Sequence, residues 1–219
     1  MVTYNEALSR YVTNHFAVED EALLRVRRRM AEHGLPAIHI QPEEGRFLQV
    51  VARACGARRA VEVGTLGGYS AIWIARGMVP GGVLYTVERD PQHARLAREH
   101  VVEAHVPARV EVWEGDARDV LPELSGKAPF DLVFIDADKQ DYRFYYEWAV
   151  THLRVGGVVA AHNAFAHGRV VKGDDEIARL MRAFNALVAA DGRVVSTVFP
   201  AGDGMVVAVK VAEADGAGA

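Results

Sequence analysis

Val61-Glu62-Val63-Gly64-Thr65-Leu66-Gly67-Gly68-Tyr69-Ser70 is the stretch of this 219-residue chain that decides its fold. The apolar run that ends at Val63 predicts a buried strand, and a helical pattern begins after Gly68. Glycines let a backbone approach a ligand closely, and a helix N-terminus offers unpaired N–H groups. The stretch therefore predicts a strand–loop–helix unit that binds a nucleotide-like ligand. The alternative is a sharp strand-to-helix turn that binds nothing.

Two acids add detail to this prediction. Glu62 lies inside the strand, where a carboxylate is unfavourable unless a cation or a hydrogen-bond donor meets it. Glu88 ends the next apolar run, and an acid at the tip of the second strand is the usual partner of ribose hydroxyls. Because the glycine spacing is not G-x-G-x-x-G, the ligand is less favoured to be NAD.

Composition limits the class of protein. Half of the residues are hydrophobic, and 25 basic side chains face 29 acidic ones, for a net charge of −4. These values suit one soluble domain and argue against a bulk electrostatic nucleic-acid binder. The single cysteine, Cys55, excludes an intramolecular disulfide. Neither a signal-peptide pattern nor an apolar run of about 20 residues is present, so we expect a cytoplasmic protein without membrane contact.

Apolar runs alternate with helical patterns along the chain. Strands are predicted at 60–63, 83–88, 110–113, 132–135, 158–161, 194–199 and 206–211. This alternation predicts an α/β doubly wound, mostly parallel sheet, preceded by helices before residue 57. The last two strands flank the turn Gly202-Asp203-Gly204, which predicts a hairpin with an antiparallel edge strand. We expect one domain over residues 1–212 and a disordered tail over 213–219.

Polar residues stand where five of these strands end. Open α/β sheets bind ligands beyond the carboxyl ends of their strands, so these residues should face one crevice. They are Glu62 to Gly64, Glu88, Asp116, Asp136 and His162-Asn163. The tandem acids Asp136 and Asp138 are costly side by side unless they meet a metal, a sulfonium or a ribose.

Several motifs together resemble the class I S-adenosylmethionine (SAM)-dependent O-methyltransferases of the catechol and caffeoyl-CoA type. They stand in the family's order, and the likeness runs from about Ile38 to Lys210. The motifs are 61–70, Val87-Glu88, Gly115-Asp116-Ala117, 130–139 and Gly202-Asp203-Gly204. The resemblance implies a Rossmann-like fold with a seven-stranded sheet, and a homodimer. It also implies that residues 1–56 form a cap and part of the acceptor site.

The resemblance implies a set of cofactor residues. These residues would hold the methionine end, the ribose and the adenine of SAM, and Ile40 would contribute a backbone contact. They are Ile40, Glu62, Gly64, Thr65, Ser70, Glu88, Asp116, Ala117 and Asp138. An ordinary interhelix loop is the alternative for Ile40.

The resemblance also implies catalytic and acceptor residues. Asp136 would bind a divalent metal and the substrate hydroxyl, and Lys139 would be the base that takes the hydroxyl proton. His167 would contact the substrate. The alternatives are a Lys139 that is only ion-paired with Asp136 or Asp138, and a His167 that belongs to a surface loop.

This chain departs from the family where the fifth strand ends. The family has Asp-Asn there, and this chain has His162-Asn163. Losing a carboxylate weakens a site for Mg²⁺, whereas imidazole suits Mn²⁺, Co²⁺, Ni²⁺ or Zn²⁺. Three hypotheses stay open: His162 and Asn163 complete an altered metal site with Asp136; the metal is absent and His162 is the general base; or the site is inactive.

The leading functional hypothesis is a SAM-dependent O-methyltransferase that acts on a small catechol-like or phenolic acceptor with the help of a divalent metal. A methyltransferase of a hydroxylated tRNA base is a second hypothesis. It is favoured only by the basic cluster between Arg25 and Arg29, which is more simply a solvated helix face. A non-catalytic SAM-binding protein is the third.

Overall fold

The computed structural model describes residues 4–213. The helices are α1 Glu6–Phe16, α2 Glu21–Glu32, α3 Pro42–Ala54, α4 Tyr69–Gly77, α5 Pro91–Glu103, α6 Ala117–Leu124, α7 Tyr142–His152, α8 Arg169–Lys172 and α9 Glu176–Ala190. The strands are β1 Arg59–Val63, β2 Val83–Glu88, β3 Arg109–Glu114, β4 Phe130–Ile135, β5 Leu153–His162, β6 Val194–Phe199 and β7 Met205–Lys210. The predicted disordered tail lies outside the described residues, apart from Glu213. Among helices of residues 4–213, none has the length and apolar content needed to cross a membrane.

In this range the seven strands form one sheet in the order β3-β2-β1-β4-β5-β7-β6. The first five pair in parallel, and β7 runs antiparallel to both β5 and β6. The predicted α/β fold with its terminal hairpin is therefore confirmed. The antiparallel strand is β7, which lies one position inside the edge strand β6.

β5 is longer than the sequence pattern predicts. The run 158–161 marks only its second half, and Gly156-Gly157 lie within the strand. Phe130 of β4 pairs with Leu153, whereas Leu132 pairs with Val158, so the extra residues of β5 form an irregularity in the pairing. Gly156 has a φ of 78°, which side chains rarely adopt, and this explains why a turn-like dipeptide stands inside a strand.

A buried acid joins the first N-terminal helix to α3. Glu43, in the first turn of α3, is only 3 % exposed. It accepts hydrogen bonds from Ser9 (2.5 Å) and Thr13 (2.9 Å) of α1. Further along α3, Gly45 packs so closely on Trp73 of α4 that a Cβ would overlap the indole ring. These contacts hold the start of α3 between α1 and α4.

The basic cluster of α2 is compensated by acids. Each of its arginines makes an ion pair within the chain. The pairs are Arg25–Glu103, Arg27–Glu19, Arg28–Glu21, Arg29–Glu99 and Arg29–Glu103. These ion pairs join α2 to α5 and to Glu19, which lies just before α2.

Glu62 is completely buried in β1. Its Oε2 accepts a hydrogen bond from Thr86 (2.5 Å), whose hydroxyl also meets that of Thr65 (2.5 Å). Oε1 has no hydrogen-bond partner among residues 4–213. Burial raises the pKa of Glu62 to about 8, against the lowering effects of the nearby hydroxyls of Ser70 and Thr86.

We expect Glu62→Gln to change how stability depends on pH. A carboxyl with a pKa of 4.5 when unfolded and about 8 when folded costs stability as pH rises from the lower value to the higher. The wild type should therefore lose roughly 2 kcal/mol or more between the two ends of this window relative to the variant, which has no such group. Urea unfolding at both pH values measures the difference. Exposed Glu32→Gln is the matched control and should follow the wild type; equal pH dependence in wild type and Glu62→Gln would contradict the prediction.

Candidate active site

A cleft of about 1160 Å³ opens at the carboxyl ends of the parallel strands, where the strand order reverses between β1 and β4. It is large enough for a cofactor and a small acceptor together. The predicted cofactor residues that line it are Ile40, Gly64, Thr65, Ser70, Glu88, Asp116, Ala117 and Asp138. The predicted catalytic, metal and substrate residues also line it: Asp136, Lys139, His162, Asn163 and His167. Glu62 lies behind the wall, so its contact with a cofactor stays a prediction.

The glycine loop, residues 64–68 between β1 and α4, packs closely against the tip of β4. Gly64 has a φ of 94°, and a Cβ there would collide with the backbone carbonyl of Asp136. Glu88 organises the same loop, because its Oε2 accepts hydrogen bonds from the amides of Thr65 (3.2 Å) and Leu66 (2.8 Å). Its Oε1 accepts from the amide of Asp90 (2.9 Å). Glu88 therefore shapes the loop, and contact with a ribose would use its remaining lone pairs.

The other predicted cofactor residues have local structural roles as well. Asp116 caps α6 by accepting the amide of Arg118 (2.8 Å). Asp138 accepts the amide of Gln140 (3.2 Å) at the start of a short 3₁₀ turn. Ile40 is 2 % exposed, and its carbonyl meets Nδ1 of His39 (3.0 Å). These bonds hold the carboxylates of Asp116 and Asp138 and the backbone of Ile40 in place at the cleft.

Lys139 has its ammonium group surrounded by oxygen atoms. Nζ donates to Asp136 Oδ1 (3.2 Å), the carbonyl of Ala137 (3.0 Å) and the hydroxyl of Tyr142 (2.7 Å). Tyr142 is buried, which raises the pKa of its phenol far above the usual range. Its hydroxyl thus stays protonated and donates to the carbonyl of His162 (3.2 Å). The ion pair with Asp136 is observed, and the role of Lys139 as a base stays a prediction.

His162 is held between two carboxylates. Its Nε2 lies 2.8 Å from Glu44 Oε1 in a hydrogen bond, and its Nδ1 lies 3.3 Å from Asp136 Oδ2, close enough for an ion pair but without hydrogen-bond alignment. Burial alone would lower the pKa of His162, but Asp136 and Glu44 outweigh burial and raise it to about 10. The pKa of Asp136 is lowered, because His162 and Lys139 overcome the effect of its burial. The two neighbouring carboxylates therefore favour the protonated, cationic form of His162.

The donor set around Asp136 does not fit a divalent metal. The two oxygens of Asp136 face the cations Lys139 and His162, and a protonated imidazole has no lone pair to give. Asn163 donates its amide to Asp203 (3.0 Å). Across residues 4–213, no three Cys, His, Asp or Glu side chains are arranged to hold an ion. The positive pKa shift also speaks against the hypothesis that His162 is a general base, because a base must be unprotonated.

His167 stands in an exposed loop at the rim. Its amide donates to Asp203 Oδ1 (2.6 Å), while its imidazole is 75 % exposed and lies 3.7 Å from Asp203 Oδ2. Asp203 thus ties together the two loops that follow β5 and β6. Contact of His167 with a substrate stays a prediction.

Three residues of this site were not predicted from the sequence: Glu44, Tyr142 and Asp203. In the sequence, Glu44 is explained by its place in the first turn of α3, where the helix dipole favours an acid. Its partner His162 is 118 residues away, so no local pattern connects the two. Tyr142 belongs to an aromatic helix without a distinctive pattern. Asp203 could have been found from the sequence, because it is the central residue of the motif Gly202-Asp203-Gly204.

Comparison with known proteins agrees with this geometry. An O-methyltransferase family model matches residues 13–211. A catechol O-methyltransferase of Niastella koreensis is 39% identical over 197 residues, which cover 88% of this chain and 89% of the relative.

Two solved structures carry the likeness into three dimensions. The O-methyltransferase of Bacillus cereus in complex with SAH has a TM-score of 0.86 and 38% identity, covering 93% of this chain and 97% of that one. TomG of Streptomyces achromogenes, involved in tomaymycin synthesis and solved with SAM, has a TM-score of 0.84 and 36% identity, covering 94% and 96%. With the doubly wound sheet and the lined cleft, these matches show that the chain belongs to the class I SAM-dependent O-methyltransferase family and is an enzyme of the catechol O-methyltransferase type.

Proposed function

We propose that this enzyme transfers the methyl group of SAM to a hydroxyl of a small catechol-like or phenolic acceptor. The observation that carries the proposal is the pairing of Asp136 and Lys139 at the tip of β4, beside the glycine loop, in one cleft with the predicted cofactor residues. The catechol O-methyltransferase of Niastella koreensis supports the choice of acceptor.

Apolar side chains favour an aromatic acceptor. The cleft is lined by Phe165 and Ile177, and also by the exposed Ile38 and Val171. Ile38 is 68 % exposed and Val171 is 77 % exposed, so apolar surface is available in the cleft for an aromatic ring to cover.

The reaction needs no redox partner. The acceptor oxygen attacks the methyl carbon in line, and a carbon–oxygen bond forms while the carbon–sulfur bond breaks. The electron pair of the broken bond stays on sulfur, so the sulfonium becomes the neutral thioether of S-adenosylhomocysteine. One proton leaves the acceptor hydroxyl. Holding the two reactants in this geometry supplies a large part of the rate increase.

Lys139 is the residue we propose to take this proton. To act as the base, the Lys139 ammonium must first release a proton to solvent. In the resulting amine, Nζ keeps two N–H donors and directs one lone pair to the acceptor hydroxyl. The hydroxyl of Tyr142 and the carbonyl of Ala137 can hold the two remaining N–H groups in place. The bond to Asp136 is then replaced by contact with the acceptor.

We expect methyl transfer from SAM to members of a catechol and phenol panel, measured as S-adenosylhomocysteine released and methylated product formed. Catechols should react faster than aliphatic alcohols of the same size, because an aromatic hydroxyl loses its proton more easily. SAM binding without turnover on the whole panel would contradict the proposal.

Lys139→Met should lower kcat by about 100-fold or more, because a general base is lost, while the Kd for SAM changes little. Calorimetry with SAM and steady-state kinetics with the best acceptor measure the two quantities. Lys172→Met is the matched control, since Lys172 is exposed and does not line the cleft. Equal kcat in Lys139→Met and wild type would exclude the role.

The tRNA hypothesis has no support from the fold. The basic cluster that favoured it is paired with acids, and the net charge of −4 opposes a polyanion. The hypothesis of a non-catalytic SAM binder is disfavoured by family membership and by the Asp136–Lys139 pair, which cofactor binding alone does not require.

A homodimer, which the resemblance implies, stays a prediction, as does the cytoplasmic location. Exposed apolar side chains on α1 and just after it, Tyr11, Phe16 and Val18, and Val195 on β6 support a dimer. Sedimentation equilibrium should give twice the mass of 23.9 kDa; a monomer at micromolar concentration would contradict it.

A further inference from the structure

Charges of alternating sign occupy the end of β5 where the family resemblance predicts a metal. Glu44 contacts His162, His162 contacts Asp136, and Asp136 contacts Lys139. Two carboxylates and two cationic groups thus compensate one another within the described part of the cleft. A divalent ion at Asp136 would add two positive charges next to both cationic groups, and repulsion at such short range is costly in a partly buried site.

Glu44 is fixed from three directions. Its side chain is 1 % exposed. Oε2 accepts the amide of Gln41 (2.8 Å) at the start of α3, and Oε1 accepts from His162. From the third side the turn at Gly202 packs so closely that a Cβ on that residue would run into the Glu44 carboxyl group. The carboxylate therefore has no room to turn away, and it holds the imidazole in one orientation.

We propose that His162, positioned by Glu44, stands in place of the divalent metal, so that this enzyme binds no metal at the β5 end and transfers methyl groups without one. The part of this proposal that concerns catalysis rests on the proposed function; the part that concerns metal binding does not. Glu44 is a positioning residue, because it acts through His162. Held between Glu44 at 2.8 Å and Asp136 at 3.3 Å, the imidazole would supply positive charge beside Asp136, where a developing phenolate would be stabilised.

Metal binding is tested without any acceptor. Wild-type enzyme is titrated with Mg²⁺ and Mn²⁺ while its Tm is recorded. No shift is expected. In His162→Asp, three carboxylates meet at the β5 end, and Mn²⁺ should raise Tm by about 5 °C, because an ion that binds only the folded state stabilises it. His33→Asp is the matched control, since it makes the same exchange on an exposed residue of the N-terminal region, and should give no shift.

A second variant keeps the test decisive if the first one misfolds. If His162→Asp does not fold, His162→Asp combined with Glu44→Gln removes the buried carboxylate pair and is titrated in its place. A metal-dependent rise of Tm in the wild type equal to that in the aspartate variant would overturn the proposal.

Catalysis is tested with the best acceptor. The wild type should keep its kcat in EDTA, and adding Mg²⁺ or Mn²⁺ should not raise it. Glu44→Gln should lower kcat by about tenfold or more, because the imidazole loses its charged partner, with the KM for SAM unchanged. Glu43→Gln is the matched control: Glu43 is equally buried in the same turn of α3 but faces α1, so kcat should stay at the wild-type value.

The two failures are distinguishable. Loss of wild-type activity in EDTA, restored by metal, would overturn the inference and leave the methyltransferase proposal intact. Absence of turnover on every acceptor would contradict the proposed function, and the Tm titration would still decide whether His162 replaces a metal.

Discussion

The parallel alignment of five neighbouring strands is the constraint on which the rest of the structure depends. Parallel strands direct their carboxyl ends to one edge of the sheet, so residues far apart in the sequence meet there. In this chain those residues are mostly acids: Glu88, Asp116, Asp136 and Asp138. Acids at such close range repel one another, and the edge is stable because amides, helix starts and cationic side chains face them. A sulfonium cofactor suits the same environment.

The first turn of α3 connects this edge to the N-terminal helices. Successive residues of a helix point about 100° apart, so Glu43 and Glu44 face different parts of the molecule. Glu43 binds the hydroxyl groups of α1, and Glu44 binds the imidazole of β5. One turn thus joins α1 to the cleft, and a movement of α1 can reach His162 through α3.

The fold and most of the cleft could be predicted from the sequence, because both follow from local patterns. Alternating apolar runs give strands, glycines mark the loop after β1, and strand ends give the cleft wall. The remainder depends on contacts that no local pattern encodes. The sequence predicts His162 as a metal ligand or a base because nothing near position 162 indicates that Glu44, 118 residues away, is its partner. Similarly, Gly156-Gly157 has the composition of a turn, and the irregular pairing that places it in a strand involves both β4 and β5. The sequence indicated that Glu62 is buried in its strand, but not that it lies behind the cleft wall.

The turn at Gly202 has a consequence for how this site can change by mutation. It closes the hairpin of β6 and β7, and it also presses on the Glu44 carboxyl group. Any side chain at position 202 would push that group away from His162, so the hairpin and the charge of the cleft cannot vary independently. If the imidazole were exchanged for a carboxylate while Glu44 stayed in place, buried acids would be crowded at the end of β5. One glycine of the hairpin thus limits which side chains can stand opposite the imidazole at the end of β5.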